Sequence, residues 1–211
     1  MTDGLELGDA YGATLGRIKG QGDEKTRLGM TTLMWVSHAE RPLEPDELRH
    51  ALAVETGSSS LHTDNVPSIG TLLSCCQGLV VMDKEASTVR LIHFTLQERL
   101  RAQPELFGTA YATMAETCLS YLNSQQVKAL STSSTPDLRG TPFLEYSSVF
   151  WGTHAKRDLS DCAKLLALKL LDDCNNNQMP TEILLEAQAY YLHTIEPAKP
   201  CLFSGLHCIH F

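Results

Sequence analysis

Hydrophobic residues recur at helical spacing along most of this chain, and they alternate in only one short region. The first predicted helix covers residues 5–19, where four apolar positions lie three or four residues apart: Leu7, Tyr11, Leu15 and Ile18. A second helix is predicted from Arg27 to Ser37. A third begins at Pro45, a residue that suits the first helical position because its missing amide hydrogen has no helical partner there.

A polar loop, TGSSSLHTDN (56–65), leads into a further short helix in VPSIGTLLSCCQG (66–78). Asp64 or Asn65 is the expected N-cap of that helix, and Gly78 is its expected end. Two β-rich runs follow, LVVMD (79–83) and TVRLIHF (88–94), and the four residues KEAS between them predict a β-hairpin. Thr95 and Glu98 then have the spacing of a capping box, which predicts another helix start.

Residues 27–101 therefore have the predicted order helix, helix, helix, hairpin, helix. Three helices followed by a β-wing is the winged-helix arrangement. The predicted fold class is mainly α with one small β-hairpin: a winged helix followed by an α-helical connector.

The rest of the chain is predicted to be helical, except for the Ser-, Thr- and Pro-rich linker STSSTPDLRGTP (131–142). Four apolar stripes with helical spacing carry this prediction: Phe107, Tyr111, Met114, Cys118 and Leu122; Phe143, Tyr146, Phe150 and His154; Leu159, Ala163, Leu166 and Leu170; Ile183, Leu184, Ala187 and Tyr191.

Charge and cysteine usage narrow the functional classes. The net charge of −8 argues against a general affinity for phosphate backbones, which needs clustered Lys and Arg. None of the seven cysteines forms a C-x-x-C pair, and Cys201, His207, Cys208 and His210 in the tail match no zinc spacing, so no metal is expected. The N-terminus resembles no signal peptide and no apolar run could cross a bilayer, so a cytoplasmic protein without membrane contact is expected.

Three separate stretches carry a resemblance: TTLMWVSHAERPLEPDELRHALAVE (31–55), DNVPSIGTLLSCCQGLVVMD (64–83) and VRLIHFTLQERL (89–100). They resemble the winged-helix segment that follows the nucleotide-binding domain in fungal NACHT–ankyrin proteins, NLR-like members of the signal-transduction ATPase class. RGTPFLEYSSVFWGTHAKRDLSD (139–161) resembles the helical connector to the ankyrin repeats of those proteins. The tail SGLHCIHF (204–211) echoes the ankyrin opening T-P-L-H-x-A through Leu206 and His207.

The resemblance implies four segments. Residues 1–26 would be the trailing helix of a nucleotide-binding domain, 27–101 the winged helix, 102–203 the helical connector and 204–211 the start of an ankyrin-like repeat. It also implies a non-catalytic regulatory scaffold whose partners are the upstream nucleotide-binding domain and the downstream ankyrin repeats. ATP/ADP or GTP/GDP is expected only in that upstream domain, so this chain needs no cofactor and has no small-molecule substrate.

His93 is the one candidate site residue. In the resembled class, a histidine of the winged helix contacts the β-phosphate of bound ADP and holds the inactive state, and Ile92–His93–Phe94 falls at the matching place. Phe94 replaces the acid that usually follows this histidine. The alternative is structural, because His93 has the strand parity of Val89 and Leu91 and would then lie at the edge of a small core.

Other functions have weaker support. GQGDEKT (20–26) ends in Lys-Thr like a phosphate-binding loop, but Glu24 occupies the required glycine position, so a helix–helix turn is the interpretation. No G-x-S-x-G motif is present, and no enzyme is expected. A DNA-binding winged helix is an alternative, although residues 65–78 contain no Lys or Arg to read a major groove. A truncated gene product without independent function is another.

Overall fold

The computed structural model describes residues 3–58, 60–61, 63–130 and 140–175. Most of the predicted linker, the predicted helix at 183–191 and the tail at 204–211 lie outside these residues, as do Cys201, His207, Cys208 and His210. The contacts divide the chain into two compact units, one formed by residues 1–52 and 66–110 and the other by residues 53–65 and 111–211.

The described residues of the first unit form the predicted helices and hairpin and one further short helix. That helix ends at Phe107, a residue predicted to share a stripe with Tyr111. The bounds of these elements are α1 Asp3–Lys19, α2 Asp23–His38, α3 Pro45–Ala53, α4 Ile69–Cys75, β1 Val80–Asp83, β2 Thr88–Leu91, α5 Phe94–Arg101 and α6 Pro104–Phe107. Residues 20–22 form the turn between two helices that was predicted for GQGDEKT (20–26), but residues 23–26 already belong to α2. α1 packs on α2, and its assignment to an upstream domain stays a prediction.

A close approach of two helices fixes the centre of the first unit. Gly29 of α2 lies against the end of α4, where a Cβ atom would stand only 2.7 Å from the carbonyl oxygen of Cys75. The thiol of Cys76 also donates to the carbonyl of Gly29 at 3.8 Å. Around this contact the large buried side chains are Ile18, Leu33, Trp35, Leu43, Leu48, Leu72, Leu96 and Leu100.

The wing is a two-stranded antiparallel hairpin in which Val80 pairs with Leu91 and Asp83 with Thr88. Leu43, between α2 and α3, extends this sheet by one bridge, since the amide of Val89 donates to its carbonyl at 2.8 Å. The hairpin is therefore attached to the helices by its backbone as well as by its buried side chains.

Two predicted helix starts are wrong. α4 is capped by Ser68, whose side chain accepts from the amide of Thr71, whereas Asp64 and Asn65 belong to a separate 3-10 turn. α5 is capped by His93, so the Thr95–Glu98 capping box does not form. In both cases a polar residue other than the predicted one accepts an amide of the first helical turn.

The second unit is helical in its described residues: α7 Ala110–Leu122, α8 Gln125–Ala129, α9 Leu144–Arg157 and α10 Asp161–Asn175. Its core contains Met114, Leu119, Tyr121, Val127, Phe143, Tyr146 and Trp151. The stripe prediction for α9 is confirmed at its centre, where Tyr146 donates to or accepts from the Nε2 atom of His154 at 2.9 Å. Leu159 was predicted to lie on an apolar stripe, but it precedes α10 and is 51% exposed.

The predicted fold class is confirmed: a mainly α-helical chain with one antiparallel hairpin, arranged as a winged helix followed by helices.

Candidate functional site

His93 lies at the junction between the wing and the following helix. β2 ends at Leu91, the amide of Ile92 donates to the carbonyl of Leu79 at 3.0 Å, and α5 begins at Phe94. The backbone of His93 is extended, with φ −153° and ψ 146°. The hairpin on one side and the helix on the other therefore fix the backbone position of His93.

A chain of hydrogen bonds sets the tautomer of this imidazole. Its Nδ1 atom accepts from the backbone amide of Thr95 at 3.3 Å, so it carries no proton. The hydroxyl of Thr95, 2.8 Å away, then donates to the same atom, and the hydroxyl of Tyr11 lies 3.4 Å behind it. The proton of the neutral ring is consequently on Nε2, where it can be donated to a group outside the domain.

The side chain of His93 is exposed and does not join Val89 and Leu91 in the core. Its structural task is to cap α5. The residues on either side of it are large, apolar and exposed: Ile92 by 40% and Phe94 by 66%. The ring of Phe94 lies 4.6 Å from that of His93, so aromatic surface continues from one side chain to the next.

A groove of about 460 Å³ begins at His93 and Phe94 and runs between the wing and the end of α2. Its lining includes three arginines, and each makes a hydrogen bond within the unit: Arg41 to Glu47, Arg90 to Asp83 and Arg101 to the carbonyl of Ser37.

The bond of Arg101 uses its Nε atom, at 2.6 Å, and Gln97 donates to the same Ser37 carbonyl at 3.0 Å. Those bonds hold the start of the guanidinium against the end of α2. The groove therefore combines a histidine, an exposed phenylalanine, three hydrogen-bonded arginines and the carboxylate of Glu40.

The third helix of the winged-helix unit, α4, gives little that could read DNA. Leu72 and Cys75 are buried, and the exposed positions are Gly70, Thr71 and Ser74. This helix carries no Lys or Arg, the side chains that most often contact bases and phosphates from a recognition helix.

The buried thiols are structural. Burial raises the pKa of Cys76 to about 12, with the neighbouring Cys75 adding to the effect, and it raises the pKa of the fully buried Cys118. Such thiols stay protonated and unreactive. Within the described residues no group of His, Cys, Asp and Glu side chains could hold a metal ion, and no helix is long and apolar enough to cross a membrane.

Comparison with known proteins defines the class of the first unit. Residues 18–112 match the family model described as the winged helix domain of GPI inositol-deacylase. The match spans the unit from the end of α1 to the start of α7, so sequence and fold agree that this part of the chain is a winged-helix domain. No curated protein and no solved structure matches the chain significantly.

The sequence singled out His93 as a candidate, but it did not single out the side chains that share its groove. Arg90, Gln97 and Arg101 come from the strand and the helix on either side of it, and Arg41 comes from a loop about fifty residues earlier. Arg90 and Arg101, which lie on either side of the histidine in the sequence, were the one local indication of these groove residues. Whether such side chains reach one groove depends on how the wing packs, which no local pattern specifies.

Proposed function

We propose that this chain is a non-catalytic docking and coupling segment of an NLR-like NACHT–ankyrin protein. Its winged helix would contact an upstream nucleotide-binding domain, and its helical connector would lead to a ligand-sensing repeat array. One observation carries the proposal: Ile92, His93 and Phe94 form an exposed, largely apolar corner beside a groove lined by arginines. An apolar corner of this kind is typical of a surface that a protein partner covers.

In this proposal His93 senses the nucleotide of the partner domain. The bonds from Thr95 leave Nε2–H directed away from the helix, and a phosphate oxygen of bound ADP is a suitable acceptor. Contact to ADP would favour the closed arrangement of the two domains, and loss of that contact would release it. The effect is a shift in population and requires no bond to be made or broken by this chain.

The experiment joins the chain behind the nucleotide-binding domain of a NACHT–ankyrin protein and measures the radius of gyration by small-angle scattering. ADP is expected to compact the wild-type fusion protein. His93→Asn is expected to weaken that compaction, because asparagine keeps the helix cap but cannot replace the reach of the imidazole. His50→Gln is the control, since His50 lies on α3 and outside the groove.

Equal radii with and without ADP in the wild-type fusion would refute the coupling role. A response that His93→Asn leaves unchanged would refute the sensor role alone. The same chain is mixed with duplex DNA at low salt, where a DNA-binding module would retard the duplex in a salt-sensitive way. We expect no retardation, since α4 has no Lys or Arg to place in the major groove of the duplex.

A further inference from the structure

The backbone of β2 directs its polar groups to two sides in alternation. In an antiparallel ladder the N–H and C=O of one residue point to the same side, and those of the next residue point to the other. The amide of Ile92 donates to Leu79 at 3.0 Å, on the β1 side, whereas that of Val89 donates to Leu43 at 2.8 Å, on the opposite side. Leu91 follows Val89 by two residues, so its N–H and C=O also point away from β1.

The pairing on this second side of β2 stops at Leu43. Within the described residues it consists of the one bridge between Leu43 and Val89, and neither polar backbone group of Leu91 makes a hydrogen bond there. In a continued antiparallel register Arg41 would lie opposite Leu91. Residues 39–42 and 89–91 instead line the groove together, so the two backbones separate at this point and enclose space. We call the N–H and C=O of Leu91 the open edge of β2.

The open edge of β2 faces the groove. Leu91 is only 7% exposed, and its side chain lies on the buried face of the hairpin with Val80 and Val89. What Leu91 contributes to the lining of the groove is therefore its backbone. An unpaired strand edge is a template for another extended chain, whose amides and carbonyls complete the ladder. The groove thus offers hydrogen bonds that suit an extended peptide.

The charges of the groove are largely balanced within the chain. Four charged side chains line it: Glu40, Arg41, Arg90 and Arg101. Arg41 is neutralised by Glu47 and Arg90 by Asp83, and Glu40 has a partner of its own. Arg101 is the cation of this set that has no carboxylate partner within the described residues.

Arg101 is held in a position from which it can bind a carboxylate. Its Nε atom donates to the carbonyl of Ser37 at 2.6 Å, which leaves both terminal amino groups of the exposed guanidinium without an acceptor in the described part of the chain. Two parallel N–H donors match the two oxygens of a carboxylate. The exposed ring of Phe94 lines the same groove and offers an apolar contact beside this charge.

We propose that the groove binds an extended peptide segment of a partner protein, which adds antiparallel to the open edge of β2 and places an acidic side chain on Arg101. The backbone bonds to Leu91 supply affinity, and Arg101 and Phe94 select the side chains. The inference rests on the proposed function in one respect, that a protein partner covers this corner. It requires no nucleotide and no role of His93 as a sensor.

Amide hydrogen exchange, followed by NMR on the full chain labelled with ¹⁵N, tests the strand addition. In the free chain the amide of Leu91 should exchange at least about tenfold faster than those of Arg90 and Ile92, which bond to β1. The probe is the peptide Ac-TVEVET-NH2, which alternates valine and glutamate as an edge strand does. At saturation it should slow the exchange of Leu91 at least about tenfold and leave Arg90 and Ile92 unchanged.

The control peptide carries N-methyl groups at its four central residues. It keeps every side chain but has no amide to donate, so it should neither bind nor protect Leu91. Slow exchange of Leu91 in the free chain would show that the edge is already paired. That result, or equal binding of the two peptides, would overturn the proposal.

A charge variant tests the contact of the acidic side chain. Arg101→Gln should weaken binding of the peptide at least about tenfold, because a hydrogen bond between two charged groups is lost. Arg27→Gln is the matched control, since Arg27 is an exposed arginine of α2 outside the groove, and it should change binding by less than about twofold. A peptide with glutamine in place of glutamate should bind the wild type and Arg101→Gln alike.

Equal losses in the two arginine variants would assign binding to general charge attraction and overturn the role of Arg101. A peptide that binds no chain, or that shifts only residues outside the groove, would overturn the strand addition. If ADP still compacts the fusion protein in that case, the coupling role stands and the partner domain contacts the winged helix elsewhere.

Discussion

The Nδ1 atom of His93 accepts the backbone amide of Thr95 at 3.3 Å and thereby starts the helix that brings Leu96 and Leu100 into the core. Histidine is not among the residues that cap helices best, a group led by Asn, Asp and Ser. At this position an exposed imidazole, rather than one of these stronger caps, accepts an amide of the first helical turn.

Replacing His93 therefore has opposite effects on stability according to the substitute. His93→Asp should raise the free energy of unfolding by roughly 0.5–1 kcal/mol, because a carboxylate caps well and favours the helix N-terminus. His93→Ala should lower it by about 1 kcal/mol, since the amide of Thr95 loses its acceptor. Urea denaturation followed by circular dichroism measures both values. A more stable alanine variant would contradict the capping role.

Two glycine variants should change the free energy of unfolding in opposite directions, because only one of the glycines lies in the contact of α2 with α4. In Gly29→Ala the new Cβ atom would meet the Cys75 carbonyl at 2.7 Å, so the free energy of unfolding should fall by about 1–3 kcal/mol. Gly16→Ala on α1 has open space around the new atom and should gain roughly 0.5–1 kcal/mol from helix propensity. The same denaturation experiment compares them. Equal stabilities would mean that the two helices do not pack this closely.

Breaking the ion pair between Arg41 and Glu47 should strongly destabilise the first unit. Its two bonds are 2.6 and 2.7 Å long, both side chains are largely buried, and Glu47 also accepts the amide of Glu44. Arg41→Met leaves that carboxylate without its cation and should lower the free energy of unfolding by about 3–5 kcal/mol.

The matched control is Arg90→Met, which breaks the exposed pair with Asp83 and should cost at most about 1 kcal/mol. Thermal unfolding of both variants tests the difference. A loss in Arg90→Met as large as that in Arg41→Met would show that burial does not govern these two pairs.

His50 should make the first unit less stable in weak acid. Burial lowers its pKa below the ordinary value of 6.5, and the charge of Arg49 adds to this while Asp46 opposes it. Below pH 6.5 the unfolded chain binds a proton that the folded chain does not, so this contribution to stability is present above pH 6.5 and is lost as the pH falls towards the lowered value. Denaturation between pH 5 and 8 should show a shallower slope in His50→Gln than in the wild type. Parallel slopes would exclude His50 as the cause.

Thiol labelling should separate the cysteines by burial. Cys162 is exposed, whereas Cys75, Cys76 and Cys118 are buried and Cys76 has a pKa of about 12. Iodoacetamide at pH 8 should modify Cys162 at least about tenfold faster than the buried three, which must first open by unfolding. Peptide mass spectrometry over time measures the order. Early labelling of Cys76 would indicate that α4 does not pack on α2.

The regular elements of the first unit could be predicted because each has a local cause. Pro45 begins α3, and the run VVMD pairs with TVRL across four turn residues, as the hydrophobic pattern and the turn residues indicate. The two helix caps were not predictable in the same way. Ser68 and Asp64 are both good caps, and the choice between them depends on where α4 must begin for Leu72 to be buried.

Some features of the candidate site could likewise be predicted from the sequence, and others could not. By itself, the sequence determined that a histidine stands between the wing and the next helix, since alternation before it and helical spacing after it are local properties of the chain. Only the tertiary structure decided that this imidazole is exposed, that Thr95 fixes its proton on Nε2, and that Arg101 and Arg41 share its groove. The shared groove and the exposure of the ring arise from packing between residues distant in the chain, which the shape of the whole unit sets. The bond from Thr95 is local, but it requires α5 to begin at Phe94, whereas the sequence predicted a start at Thr95.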